Sequence, residues 1–223
     1  MSAPATVVAI DGPSGSGKST VARGVAERLG LRVLDTGAMY RAATLACLDA
    51  GIALDDPAAC AAVVESAVIA VEDSTCLDGR DVGGKIRGPE VTAAVSIVAA
   101  HPEVRQLLVG RQRAWVDEHG GGVVEGRDIG TVVFPDAIVK VYLSASDEER
   151  ARRRHRDEAA AERRVDVDAV RDALASRDAL DRARATSPLR VADDAVQIDT
   201  TGREVDDVVT SVVALFRERE GRR

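Results

Sequence analysis

One glycine-rich segment near the start of the chain constrains the fold more than any other feature. Residues 12–20 read Gly-Pro-Ser-Gly-Ser-Gly-Lys-Ser-Thr and satisfy the spacing Gly-x-x-x-x-Gly-Lys-Ser/Thr. An apolar run at residues 5–10 precedes the segment, and apolar residues recur at helical spacing over residues 19–29. A chance glycine-rich turn is the alternative, but the motif requires a preceding strand and a following helix, and both are present. The pattern therefore predicts a strand, a phosphate-binding loop and a helix.

The residue types in this segment suit the phosphates of a nucleoside triphosphate. Glycines let successive backbone N–H groups turn towards one anion, and a helix start adds the positive end of its dipole. Lys18 has the length to reach the β- and γ-phosphates, and the Ser19 hydroxyl is placed to bind Mg²⁺. The expected nucleotide contacts come from Gly12, Pro13, Ser14, Gly15, Ser16, Gly17, Lys18, Ser19 and Thr20.

Strand and helix patterns alternate along the rest of the 223 residues. Such alternation predicts an α/β fold in three α/β/α layers, with a five-stranded parallel sheet covered on both faces. We expect one domain over residues 1–223. Its core would comprise residues 1–64, 119–148 and 185–223, with an insertion at about 65–118 that holds one or two hairpin strands, and a short lid at about 149–170.

Composition excludes several classes of protein. The formal net charge of −7 argues against a general nucleic-acid binder, because neutralising phosphates needs a positive surface. Three cysteines without Cys-x-x-Cys spacing favour reduced thiols over disulfides or a zinc site. No apolar run approaches the roughly 18 residues that span a membrane. We expect a cytoplasmic monomer without nucleic-acid or membrane partners.

Two further segments follow predicted strands and carry one arginine each. Residues 35–41 contain Arg41, and residues 126–131 contain Arg127. Ligands of open α/β sheets lie beyond the carboxyl ends of the strands, so both segments are expected to face the phosphate-binding loop. Two arginines opposite a triphosphate indicate a second anion, such as a phosphate acceptor.

The residues alone leave three functions open. A monophosphate is largely ionised at neutral pH and needs no general base, whereas an alcohol acceptor needs a carboxylate to take its proton. Asp35 or Asp128 could serve an alcohol kinase in that role. A nucleotide-binding regulatory module is the non-enzymatic alternative, and Arg41 and Arg127 could also belong to ordinary surface ion pairs.

Four segments of the chain, at residues 10–20, 34–41, 126–136 and 140–150, resemble those of bacterial cytidylate kinases, which belong to the P-loop nucleoside monophosphate kinases. The resemblance runs in order from about residue 5 to residue 215. It implies ATP and Mg²⁺ as cofactors and CMP or dCMP as the acceptor. It also implies in-line transfer without a covalent intermediate, an acceptor-binding insertion and a mobile lid.

The resemblance also implies roles for single residues. Thr36, Tyr40 and Arg41 would lie near the acceptor nucleotide, and Ser96, Arg105 and Asp128 would read the cytosine edge. Arg177, Asp181 and Arg184 would hold ribose and base. Their offsets of four and three place them on one helix face, which is equally typical of a ladder of salt bridges. The residues expected to bind the acceptor are thus Thr36, Tyr40, Arg41, Ser96, Arg105, Arg127, Asp128, Arg177, Asp181 and Arg184.

A basic run at residues 150–156 completes the set of candidate residues. It is either a solvated helix face or a lid that brings arginines to the phosphates. Arg150 and Arg154, one helical turn apart, are the arginines expected to contact phosphate. With Lys18 and Arg127, they form the predicted catalytic group. Glu125 departs from the family pattern, which has Asp ahead of the Gly-Arg-Asp sequence.

Overall fold

The structure of the protein is a computed structural model that describes residues 5–160 and 166–221. The strands are β1 (Thr6–Asp11), β2 (Val33–Asp35), β3 (Ile69–Val71), β4 (Thr75–Leu77), β5 (Arg80–Asp81), β6 (Gly121–Gly126), β7 (Val139–Ser144) and β8 (Val196–Asp199). The helices are α1 (Lys18–Leu29), α2 (Thr36–Asp49), α3 (Pro57–Ser66), α4 (Pro89–Val98), α5 (Pro102–His119), α6 (Asp147–Ala160), α7 (Val167–Ala183) and α8 (Val205–Glu220).

The chain divides into two compact units. The first unit comprises Met1–Val33 and Gly121–Arg223, and the second comprises Leu34–Gly120. Within the described residues, we find no helix that combines the length and the apolar character needed to cross a membrane.

A five-stranded parallel sheet, in the order β2-β6-β1-β7-β8, confirms the predicted α/β class. Strand β1 is central and pairs with β6 from Thr6 opposite Gly121 to Asp11 opposite Gly126. Asp11 also lies opposite Tyr142 of β7. The strands β1 and β6 therefore end side by side, so that the segments leaving them start close together.

Aliphatic side chains form the core of the first unit. Val8, Ile10 and Val141 are buried in the sheet, where they belong to one apolar cluster with residues of α1 and α8. Gly24 allows α1 to lie close to α8, since a Cβ atom there would be only 2.8 Å from a methyl carbon of Val209.

The second unit contains α2 to α5 and a separate antiparallel sheet in the order β3-β4-β5. Ala43, Cys47, Cys60, Val98 and Leu108 are buried in its core, where the two cysteines are free thiols. The second unit begins at Leu34, whereas the insertion was expected from about residue 65, and within this unit α2 packs against α4 and α3 packs against α5. The hairpin region also has three short strands, one more than the upper number expected.

Gln112 is an unusual member of this second core. It lies on α5, four residues after the buried Leu108 and four before the buried Val116, and its own exposure is only 1%. Neither its amide oxygen nor its amide nitrogen has a hydrogen-bond partner among the described residues. A buried polar group without a partner costs about 1–3 kcal/mol.

We predict that Gln112→Met stabilises the protein. Methionine has a similar length and brings no polar atom that needs a partner, so we expect Tm to rise by about 2–4 °C per kcal/mol gained. Differential scanning calorimetry measures the change, with the exposed Gln106→Met on the same helix as control. A fall in Tm for Gln112→Met alone would show that the amide makes favourable interactions.

Candidate active site

The glycine-rich loop joins β1 to α1, as the sequence predicted. Gly12, Gly15 and Gly17 have φ angles of 150°, 78° and 90°, which favour glycine. A Cβ atom on Gly12 would lie 2.1 Å from the Leu143 carbonyl oxygen of β7. Gly17 is the N-cap of α1 and gives it no side-chain hydrogen bond, so that backbone N–H groups of the first turn remain to bind an anion.

Lys18 is the first residue of α1 and is buried. Its Nζ atom donates a hydrogen bond of 2.7 Å to the Pro13 carbonyl oxygen, across the loop. Burial, followed by the positive charge of Arg127, lowers the pKa of Lys18 to about 7, although Glu125 and Asp11 act in the opposite direction. Lys18 thus lies where positive charge is costly until a negative group compensates for it.

Asp11 is a site residue that the sequence argument missed. Its two carboxylate oxygens each accept a 2.8 Å hydrogen bond, one from the Ile129 N–H and one from the Gly130 N–H. Burial raises the pKa of Asp11 to about 6, against the effect of these two hydrogen bonds. The last residue of β1 therefore holds the π-helical turn Ile129–Val133, which begins directly after Arg127 and Asp128.

We predict that Asp11→Ala loosens this turn. Two buried backbone N–H groups would lose their acceptor, so we expect the free energy of unfolding to fall by about 1–3 kcal/mol. Amide hydrogen exchange by NMR should show faster exchange at Ile129 and Gly130. The exposed Asp136→Ala serves as control, and unchanged exchange at the two amides in Asp11→Ala would contradict the assignment.

Arginines gather around Asp181 on α7. Arg127 Nε donates to Asp181 Oδ2 at 3.0 Å, and Arg184 Nη2 lies 3.5 Å from Asp181 Oδ1. Burial by itself would raise the pKa of Asp181, but the charges of Arg127, Arg184 and Arg177 hold it below its ordinary value. Arg184, which follows the last residue of α7 and is not helical, thus forms a salt bridge with Asp181.

Arg177 differs from Arg127 and Arg184, which both pair with Asp181. Its Nε atom is buried and has no hydrogen-bond partner among the described residues. Burial, and then the charge of Arg127, lower the pKa of Arg177 to about 10, and Arg154 adds to the effect. Arg177 therefore remains charged at neutral pH, in surroundings that already hold Lys18 and Arg127, as expected of a group that binds a polyanion.

Arg150, which was expected to contact phosphate, binds acceptors of the protein in this structure. It is buried on α6, where it donates to Asp178 and, at 2.6 Å, to Asp147, and also to the Ser14 carbonyl oxygen at 3.0 Å. Its guanidinium group is engaged by these three acceptors. The charge of Arg154, the other predicted lid arginine, contributes to lowering the pKa of Arg177. Part of the predicted lid, residues 161–165, lies outside the described residues.

The second unit holds the other predicted acceptor residues. Arg41 on α2 donates to the Ile86 carbonyl oxygen and to Thr92 Oγ1, both at 2.9 Å. Ser96 follows Thr92 by one turn of α4, so that the two share a helix face. Arg105 on α5 lies over the Tyr40 ring, with Cζ 5.2 Å from the ring centroid. Thr36 is buried at the start of α2.

Both carboxylate oxygens of Asp35 have partners, which bears on its suitability as a general base. Its Oδ1 atom accepts a hydrogen bond from the Ala38 N–H at 2.9 Å and so caps α2, while Oδ2 lies 3.4 Å from Arg87. A capping carboxylate that is paired with an arginine is poorly suited to act as a general base. This disfavours Asp35 in the alcohol-kinase role.

The residues present fit magnesium bound together with a nucleotide. Ser19 offers a hydroxyl in the first turn of α1, and the negative charge of Glu125 raises the pKa of the nearby Lys18. In residues 5–160 and 166–221, no group of three or more His, Cys, Asp or Glu could hold a metal alone. Mg²⁺ usually takes one or two protein oxygens with water and substrate phosphates, which this donor set can supply.

Comparison with known proteins is decisive for the family. The family model for cytidylate kinase matches residues 8–218. The chain belongs to the cytidylate kinase family. It is 51% identical over 226 residues to a cytidylate kinase of Rhodococcus opacus (strain B4), covering 99% of each chain. It is also 51% identical over 219 residues to a cytidylate kinase of Mycobacterium leprae (strain Br4923), covering 96% of this chain and 97% of the relative.

One solved structure extends the similarity to the fold. The crystal structure of an uncharacterized protein from Eubacterium ventriosum ATCC 27560 has a TM-score of 0.51 to this member of the cytidylate kinase family. The match covers 95% of this chain and 98% of the other at 12% identity, so it bears on the fold alone.

Proposed function

We propose that the protein transfers the γ-phosphate of ATP to CMP and dCMP, producing ADP and CDP or dCDP. The observation that carries the proposal is the group of basic side chains formed by Lys18, Arg127 and Arg177 at the glycine-rich loop, in a chain of the cytidylate kinase family. The proposed setting is a monomer in the cytoplasm.

The donor half of the reaction would use the loop and its lysine. Backbone N–H groups of residues 15–20 would hold the phosphates, and Lys18 would exchange the Pro13 carbonyl for phosphate oxygens. Bound Mg²⁺, held through Ser19, would neutralise charge on the β- and γ-phosphates.

The acceptor half needs charge neutralisation and alignment. A nucleoside monophosphate is already largely ionised at pH 7, so no side chain must remove a proton from it. Arg127 and Arg177 would offset the repulsion between acceptor and donor phosphates and align them for in-line transfer. Arg154 would add positive charge from the lid at about residues 149–170.

Base recognition would depend on fixed polar partners. Asp128 can accept from the exocyclic amine of cytosine, and Ser96 and Arg105 can donate to its ring nitrogen and oxygen. Uracil reverses donor and acceptor at two positions, so buried partners would reject it. Thr36, Tyr40 and Arg41 would contribute to acceptor binding, and Asp181 and Arg184 would hold ribose and base.

A coupled assay of ADP release tests the function. We expect CMP and dCMP to stimulate ADP release strongly, and UMP and AMP to be less efficient in kcat/KM by about tenfold or more. Stimulation only by a hydroxyl compound would instead support an alcohol kinase. Tight ATP binding without turnover on any acceptor would support a regulatory module.

We also predict that ATP binding takes up protons near neutral pH. Because the pKa of Lys18 is lowered to about 7, much of its amine is neutral at pH 7.5, and phosphate charge should raise the pKa again. Calorimetric titrations in two buffers of different ionisation enthalpy measure the uptake. Lys18→Arg is the control, since a guanidinium stays charged throughout. Equal heats for the wild type in both buffers would contradict the prediction.

A further inference from the structure

The turn at residues 14 and 15 of the phosphate-binding loop is held by Asp178, an acidic residue that the proposed reaction does not use. Asp178 on α7 is 1% exposed. Its Oδ1 atom accepts a hydrogen bond from the Ser14 N–H at 3.3 Å, while Oδ2 accepts from Arg150. The N–H group of Ser14 is thus directed at a protein carboxylate.

Arg150 on α6 binds Ser14 as well. It donates to the Ser14 carbonyl oxygen at 3.0 Å, so that both backbone polar groups of Ser14 are bound by the Arg150–Asp178 pair. Burial alone would lower the pKa of Arg150, but Asp147 and Asp178 more than offset this and raise it. Arg150 therefore acts as a permanent cation that keeps Asp178 in place.

The backbone of α6 reaches the loop as well. A Cβ atom on Gly15 would lie 3.0 Å from the Arg150 carbonyl oxygen and 3.2 Å from the Arg150 Cα atom, at a φ of 78°. The turn at residues 14 and 15 is consequently enclosed by α6 and α7, with no room for a side chain at residue 15. A loop that binds phosphate through backbone N–H groups depends on such support for its shape.

We propose that Asp178 is a positioning residue for ATP binding: with Arg150, it fixes the Ser14 peptide and so holds the phosphate-binding loop in its binding shape. The inference rests on the proposed ATP site. Asp178 also lies next to Arg177 and three residues before Asp181 on α7, so the same contact joins the loop to the helix that carries the proposed acceptor residues.

A variant series separates positioning from mere stabilisation. Asp178→Asn keeps the size of the side chain but weakens its hold on Ser14 and Arg150. The double variant Arg150→Met with Asp178→Leu replaces the buried pair by apolar side chains, a change that often preserves stability where a single replacement does not. Asp172→Asn on the exposed side of α7 removes the same charge and is the matched control.

Two measurements are made on each full-length variant: Tm without ligand, and the Kd of Mg-ATP by calorimetry. We expect Asp178→Asn to weaken ATP binding at least about tenfold and the control to change it less than about twofold. The double variant should recover most of the Tm lost in the single one but keep the weakened ATP binding, because Ser14 has no partners there.

The outcomes distinguish this inference from the proposed function. Wild-type protein that fails to bind Mg-ATP would overturn the proposed function itself. Wild-type binding together with a double variant of unchanged Kd would overturn only the positioning role, and would leave the pair as a contribution to stability. A single variant whose Kd is unchanged while its Tm falls would lead to the same conclusion.

Discussion

Positive charge buried beyond the ends of β1 and β6 is the constraint that the surrounding structure must satisfy. Lys18 and Arg177 both have pKa values lowered first by burial and then by Arg127, so each cation makes the others less favourable. Such an arrangement would be unstable without compensation. The phosphates that we propose as ligands supply one part of it, and acidic residues of the first unit supply the other.

Three acidic residues contribute to this compensation in different ways. Asp181 lies between arginines, and their charges hold its pKa low. Asp11 binds backbone N–H groups and fixes the turn after β6, while Asp178 binds the loop and Arg150. Each carboxylate therefore holds a segment that brings a cation to the phosphates, and none of these three is needed as a proton acceptor in the proposed reaction.

Local patterns accounted for most of what the sequence could predict. The glycine-rich loop and the alternation of strands and helices both depend on neighbouring residues, and the structure has them. The fold class was confirmed for the same reason, since parallel strands joined by helices leave few arrangements.

The sequence does not show which residues pair when they lie far apart along the chain. Arg150 has acids within reach on its own helix, and nothing in their spacing shows that Asp178, 28 residues further on, binds it. Asp11 stood at the end of a predicted strand, a position that could have marked it as a site residue. The boundary of the second unit depends on which helix faces pack together, and apolar periodicity gives the face but not its partner.

The close approach of α1 and α8 at Gly24 has a consequence for how the protein folds. The helix that begins with Lys18 packs on α8, although most of the described chain lies between the two helices. Strand β1 likewise pairs with β6 and β7, which lie far from it along the chain. The entropy of closing such long loops is lost before these contacts can stabilise the chain, so the phosphate-binding loop acquires its packed surroundings only after distant parts of the chain have come together.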